Sequence, residues 1–321
     1  MHSASRYMRS GLAQSTLKVY DSAWSYFSSF CFTYSVPMFP IKISIVCAFL
    51  VHCFESRKMQ PSSIKGLLAG VQFHLQCLDP SAGSLLGNPS IQLLLNGFKK
   101  EKPKGQDIRL PFTVPLLHKL ITHLKKGCFG PYSDLLLETV FLTAFYGFLK
   151  GGEFTTHTKH FDPSHDLSIA DVTVHSHHFS VFLKHSKTDR DRKGTTVLIA
   201  QTNSPFCPFA SMTRYLKSRP RASQHEPLFA TEKGEPMTKA WFATRLRLLC
   251  QSCGLPPDRY MAHSFRIGAA TTAAMTAPVS TLKAMGRWSS AAYERYLRPE
   301  ARDILEAQKT MSNHNLAHRW N

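Results

Sequence analysis

The step between apolar residues changes along this chain, and that change limits the folds open to it. From Ser15 onward Leu17, Tyr20, Trp24, Phe27 and Cys31 advance by three or four positions, which sets them on one helical face capped by Ser15 or Thr16. Helical runs follow over about Ile41 to Phe54 after Pro40, Ser62 or Ser63 to Cys77 after Pro61, and Pro89 to Phe98. Strict alternation is brief. Phe179, Val181 and Leu183 point one way and Ser180, Phe182 and Lys184 the other, and Thr195 to Ile199 follow the turn-rich Asp189 to Gly194. With a further strand over Asp171 to Val174, the pattern predicts one small antiparallel sheet in a mainly α chain, an α+β class. The remaining helices are predicted over Thr113 to about Lys126, Ser133 to about Leu149, Pro208 to Lys217, Thr238 to Cys250, His263 to Ala274, Ser280 to Met285 and Pro299 to Thr310.

The helical period fails between Lys99 and Pro111, where Lys99, Lys100, Lys102, Lys104 and Arg109 gather with two prolines and a glycine. A chain of 321 residues exceeds the roughly 250 to 300 at which one core stops growing. The sequence therefore divides into a helical domain over 1–100, a basic linker over 101–111 and a second domain over 112–321. The linker is either a tether that lets two lobes close on a duplex or an ordinary solvated connection.

Lysine and arginine number 39 against 21 acidic residues, a net charge of +18, so a polyanion is the natural partner. The eight cysteines are scattered in a chain too long to need a disulfide framework, and they read as thiols in a reducing compartment. Cys250 and Cys253 form a CxxC with no second pair spaced to complete a zinc site, so no metal or other cofactor is expected. Residues 1–12 lack the apolar core of a signal peptide, and Ile43 to Phe54 is too short to span a bilayer. The expectation is a soluble intracellular protein, nuclear if the run from Lys99 to Lys104 is an import signal.

The most pointed chemistry lies late in the chain, in His263-Ser264-Phe265-Arg266 and Gly286-Arg287-Trp288 to Tyr293-Glu294-Arg295-Tyr296. Breaking a phosphodiester without metal needs a cation on the nonbridging oxygens, a nucleophile and a proton for the leaving oxygen. Arg266 offers a planar fork that meets two phosphate oxygens. His263, one turn earlier, can donate to the same phosphate or take the nucleophile's proton. Trp288 supplies an indole donor, and either Tyr296 or Tyr293 can attack phosphorus and hold the broken strand as an ester. At the hairpin tip Lys187 can protonate the leaving oxygen. Lys99, Lys100, Lys102, Lys104, Arg190, Arg192 and Arg287 are candidate contacts to the DNA backbone.

At Gly147-Phe148-Leu149-Lys150-Gly151-Gly152-Glu153-Phe154, Ser186-Lys187-Thr188-Asp189, Cys207-Pro208 to Arg219-Pro220, His263 to Ala270, and Gly286 to Arg298, the chain resembles the tyrosine recombinase (phage-integrase) family. It is most similar to the recombinases of DIRS-like and Crypton-like mobile elements. The resemblance implies a helical, SAM-like core-binding domain, a mixed catalytic domain, a clamp on double-stranded DNA and tetramers on synapsed sites. It implies Tyr296 rather than Tyr293 as nucleophile, with Arg266, His263, Trp288 and Lys187 in matching roles.

One position departs. Where the family has Leu-Arg-x-Gly-Glu, this chain has Leu149-Lys150-Gly151-Gly152-Glu153, so the first phosphate-gripping arginine is a lysine, which keeps the charge and loses the fork. The sequence thus implies a recombinase with weakened cleavage, with a DNA-binding protein that does not cut as the alternative. A nonenzymatic basic scaffold for RNA or proteins would account for the charge but not for the ordered set.

Overall fold

The computed structural model describes residues 2–103, 105, 107–184, 193–219, 223–298, 304–305 and 308–309. The chain forms two compact units, Met1–Asp107 and Ile108–Asn321.

The first unit is helical: α1 (His2–Ser10), α2 (Gln14–Thr33), α3 (Ile43–Glu55), α4 (Pro61–Leu78) and α5 (Pro89–Glu101). Phe27, Phe49, Ile64, Leu68 and Ile91 are wholly buried at its centre. The face spaced by three and four in the sequence is the one α2 buries. Ala13 rather than Ser15 or Thr16 holds its N-cap position, without a side-chain bond. Apolar spacing does not announce α1, whose described side chains are exposed or half-buried, and a surface ion pair joins it to α2. Arg9 donates to both oxygens of Asp21, at 3.1 and 2.9 Å, and Asp21 meets His74 Nε2 at 3.0 Å. The basic run begins inside α5, whose last turn carries Lys99 and Lys100.

The second unit contains α6 (Val114–Leu124), α7 (Pro131–Tyr146), α8 (Gly151–Phe154), α9 (Pro208–Ser218), α10 (Lys239–Ser252), α11 (Ala262–Ala274) and α12 (Val279–Gly286). Its sheet has three antiparallel strands, β1 (Val172–Val174), β2 (His178–Leu183) and β3 (Thr195–Ala200), in the order β1-β2-β3. Phe179 pairs with Ile199 and Val181 with Val197, and all four side chains are buried. The chain is thus mostly helical with one small antiparallel sheet. The helix predicted over residues 299–310 falls largely outside the described residues. Among those described, no helix is long and apolar enough to cross a membrane.

The centre of this unit is α7, buried around nearly its whole circumference, as an apolar helix must be when other elements surround it. It starts at Pro131 after Gly130, which has φ of 99°, rather than at Ser133. Of its buried polar groups, Ser133, Asp134, Glu138 and Thr139 have side-chain partners, and Thr143 Oγ1 has none among the described residues. Asp134 accepts from Cys128 N and Phe129 N at 2.9 and 3.1 Å, and the Thr139 and Ser211 hydroxyls meet at 2.8 Å. Phe265 of α11 packs between Phe112 and Phe141, with ring centroids 4.5 and 4.8 Å away. Burying a phenylalanine stabilises by about 1.5 to 3 kcal/mol, so this contact anchors α11 against α7. Gly268 allows the close approach, since a Cβ there would stand 1.9 Å from Phe112 O.

Candidate active site

Three chain segments meet where α7 ends. The first is the corner Gly147-Phe148-Leu149 between α7 and α8. Phe148 has φ of 50°, a left-handed conformation that costs a non-glycine residue about 1 to 3 kcal/mol unless its surroundings hold it. Two guanidinium groups do so. Arg266 Nη1 and Arg287 Nη2 both donate to Phe148 O, the second at 3.2 Å. Lys150 then caps α8, and Glu153 reaches back to accept from Lys150 N at 2.8 Å.

The second segment is the start of α11. Ser264 O accepts from Phe112 N at 3.1 Å, and Phe265 is anchored in the core, so His263 and Arg266 are displayed from a fixed helix end. Arg266 is 1% exposed, and its Nη2 donates to Gly286 O at 2.5 Å. Burial pushes its pKa down, and attraction to Tyr296 and Glu153 opposes the push.

The third segment is the strand of chain after α12. Arg287 closes α12 in the left-handed conformation, φ 56° and ψ 47°. Its Nη1 donates to Gly147 O at 3.0 Å and its Nη2 to Glu153 Oε2 at 2.7 Å. Burial pushes its pKa down as well, opposed by Glu153 and reinforced by Arg266. The Trp288 ring lies directly on Gly286, where a Cβ would meet it at 1.8 Å. A 3-10 turn, Ala291–Tyr296, then brings Tyr296 back to α11, where Thr271 Oγ1 donates to Tyr296 O at 3.2 Å.

These supports gather most of the residues singled out from the sequence. Arg266 Cζ lies 4.6 Å from the centre of the Trp288 ring and 5.2 Å from that of Tyr296. The Tyr296 ring is 5.1 Å from that of Trp288 and 5.1 Å from that of His263. Tyr293 lies to one side, 6.3 Å from Trp288. Lys150 joins through Glu153, whose Oε1 is 3.3 Å from its Nζ.

Other candidates stand elsewhere. Arg287, expected as a DNA contact, is turned inward, with its side chain 9% exposed. Lys99 and Lys100 are exposed at the end of α5, and Lys102 Nζ donates to Lys58 O at 2.8 Å. Lys104, Lys187, Arg190 and Arg192 lie outside the described residues. At the base of the hairpin Lys184, expected on its polar face, donates to Asp166 O at 3.0 Å, to Ser168 Oγ at 3.1 Å and to Asp171 Oδ2. Glu153 and Thr271 carry roles that residue type alone did not suggest. The backward reach of Glu153 to the N–H of Lys150, three positions earlier, is the capping-box spacing, and that signal was present in the sequence. Among the described residues no three His, Cys, Asp or Glu side chains form a metal-binding group.

In this arrangement Nη1 and Nη2 of Arg266 are held by backbone carbonyls, Nε has no partner among the described residues, and the rings of Trp288 and Tyr296 lie against the guanidinium. A phosphate can reach the guanidinium only if those rings move and its oxygens replace the carbonyls.

No family model matches the chain, and no curated protein matches it. Solved structures do. The XerH site-specific recombinase bound to palindromic difH substrate, in a post-cleavage complex, is 14% identical with a TM-score of 0.62, over 90% of this chain and 76% of that one. A lambda integrase dimer bound to a COC′ core site is 14% identical with a TM-score of 0.58, over 100% of this chain and 79% of that one. A Tn1549 transposon integrase in complex with transposon right end DNA is 12% identical with a TM-score of 0.54, over 86% of this chain and 87% of that one. At such identities the likeness is one of fold, and the fold of this chain is that of the tyrosine recombinases.

Proposed function

We propose that this protein cleaves and rejoins double-stranded DNA through a phosphotyrosine ester on Tyr296. The observation that carries the reading is the seating of the Tyr296 ring among Arg266, His263 and Trp288, all with centres within 5.2 Å, in a chain with the recombinase fold. The Tyr296 hydroxyl attacks phosphorus, the bond from phosphorus to the 5′ oxygen breaks, and that oxygen leaves with a proton from Lys187. Attack by a 5′ hydroxyl of either strand reverses the step and frees Tyr296. Each ester replaces a phosphodiester of similar energy, so no nucleotide cofactor is consumed.

Arg266 and Lys150 balance the charge on the nonbridging oxygens, His263 handles the nucleophile's proton or donates to the phosphate, and Trp288 supplies its indole N–H. The helical unit Met1–Asp107 is the core-binding domain and Ile108–Asn321 the catalytic one. The net charge of +18 supports DNA as the partner, as does the bound DNA in the similar structures. Synapsis of two duplexes by a tetramer, a nuclear location and origin in a DIRS-like or Crypton-like mobile element complete the reading, the last on the sequence motifs.

A second reading, DNA binding without cleavage, is favoured by Lys150, because an ammonium lacks the fork that grips two oxygens. Losing such a contact slows the chemical step by roughly a hundredfold or more. A nicked suicide duplex separates the two. Wild-type protein is expected to give a covalent adduct on a denaturing gel, kept in Tyr293→Phe and lost in Tyr296→Phe. An adduct that persists in Tyr296→Phe and vanishes in Tyr293→Phe overturns the nucleophile. An adduct seen only after Lys150→Arg establishes the second reading.

A further inference from the structure

Two cations meet one carboxylate near Arg266. Glu153 has its side chain 7% exposed, Oε2 at 2.7 Å from Arg287 Nη2 and at 2.8 Å from Lys150 N, and Oε1 at 3.3 Å from Lys150 Nζ. Arg266 is near enough for its pKa to respond to the same carboxylate. A single negative charge therefore has to be divided.

The division is unequal. The 2.7 Å contact is a charge-assisted hydrogen bond between groups shielded from water, where attraction is strongest. The Lys150 ammonium is farther off and 28% exposed, so water weakens its share. Nor does Arg287 reach the pocket by default. It sits in a left-handed helix cap, with Nη1 donating to Gly147 O and Nη2 also donating to Phe148 O. The local fold holds this guanidinium against Glu153.

We propose that Arg287 is a positioning residue that acts through Glu153. By holding the carboxylate it keeps Glu153 from drawing Lys150 into a tight neutral pair, so the ammonium can turn to a phosphodiester. This rests on the reading of Lys150 as a phosphate ligand. It also gives a role to the arginine in a chain whose first phosphate-gripping position is a lysine.

Removing the charges singly and together tests it. Arg287→Gln keeps donors for the corner carbonyls and removes the charge. Its adduct formation on the nicked duplex is expected to fall by roughly a hundredfold. The double variant Arg287→Gln/Glu153→Gln, lacking both charges, is expected to recover about tenfold of that loss, because Lys150 is released again. A purely structural role makes the double variant as slow as the single one or slower, and that result overturns the proposal. A second readout needs no cleavage. Acylation of the Lys150 amine, followed by peptide mass mapping, is expected to slow in Arg287→Gln and to return to the wild-type rate in the double variant. Equal labelling in all three overturns the proposal. Should Arg287→Gln fail to fold, Glu153→Gln alone decides: Lys150 is expected to label at least as fast as in the wild type, and slower labelling overturns the idea. Absence of any wild-type adduct sinks the recombinase reading and leaves the labelling arm to judge Arg287.

Discussion

Replacing Arg266 by alanine is expected to damage the fold as well as the chemistry, by an amount that follows from its seating. The guanidinium is 1% exposed, donating to Phe148 O and, at 2.5 Å, to Gly286 O. Phe148 O keeps Arg287 Nη2 at 3.2 Å, so the bond lost without replacement is the one to Gly286. Leaving a buried carbonyl in that state costs about 1 to 3 kcal/mol. The cation also lies 4.6 Å from the Trp288 ring and 5.2 Å from the Tyr296 ring. Desolvated contacts of that kind stabilise by about 2 kcal/mol. Alanine relieves the desolvation that pushes the arginine's pKa down, which offsets part of the loss. A net destabilisation of about 3 kcal/mol remains, equivalent to a fall of roughly 6 to 12 °C in melting temperature for a unit of this size. Scanning calorimetry of the full chain measures it, with Arg266→Lys expected between the two. If Arg266→Ala melts within about 2 °C of the wild type, the guanidinium is not clamped between the corner and the two rings as described. Loss of cleavage in Arg266→Ala is therefore to be weighed against Arg266→Lys and Tyr296→Phe, which disturb the packing less.

Gly268→Ala should reverse the usual sign of its substitution: helix propensity alone predicts a gain of about 1 kcal/mol. The new Cβ would stand 1.9 Å from Phe112 O, whose residue is held by the bond from its N to Ser264 O at 3.1 Å. The expected result is a loss of about 1 to 3 kcal/mol, and a melting temperature at or above that of the wild type refutes it. In the helical unit, burial pushes the His74 imidazole below its ordinary range, with Asp21 opposing. Its folded pKa lies below the unfolded value, so its contribution is fully present above about pH 6.5 and is lost as pH falls through the folded value. Trp24 stacks on His74 at 5.2 Å and reports the proton. The difference in emission between wild type and His74→Gln should titrate with a midpoint below about 6.5, and a higher midpoint contradicts the shift.

Much of the architecture was legible because local periodicity records which face a helix or strand must bury. The α2 face and the alternation of β2 were both visible in this way. The signal failed where something other than apolar spacing defines an element. The described part of α1 buries no side chain fully, and a proline after a glycine of positive φ begins α7. At the candidate site the sequence supplied the chemical types in order, and residue type left Tyr293 and Tyr296 even. In the structure the Tyr296 ring meets His263, Trp288 and Arg266, and the Tyr293 ring meets Trp288.

What the sequence determined by itself is the inventory: a strongly basic chain, helices with one small sheet, and a histidine, three arginines, an indole and two phenols between His263 and Tyr296. What tertiary structure alone decided is which of those charges are held inward, and by what. Arg266 and Arg287 reach carbonyls 118 and 140 positions earlier in the chain, at Phe148 and Gly147. No local pattern encodes such contacts. They exist because burying α7 fixes its end as a corner whose carbonyls need donors, and two helix termini from the far side of the sequence pack where their guanidinium groups can supply them.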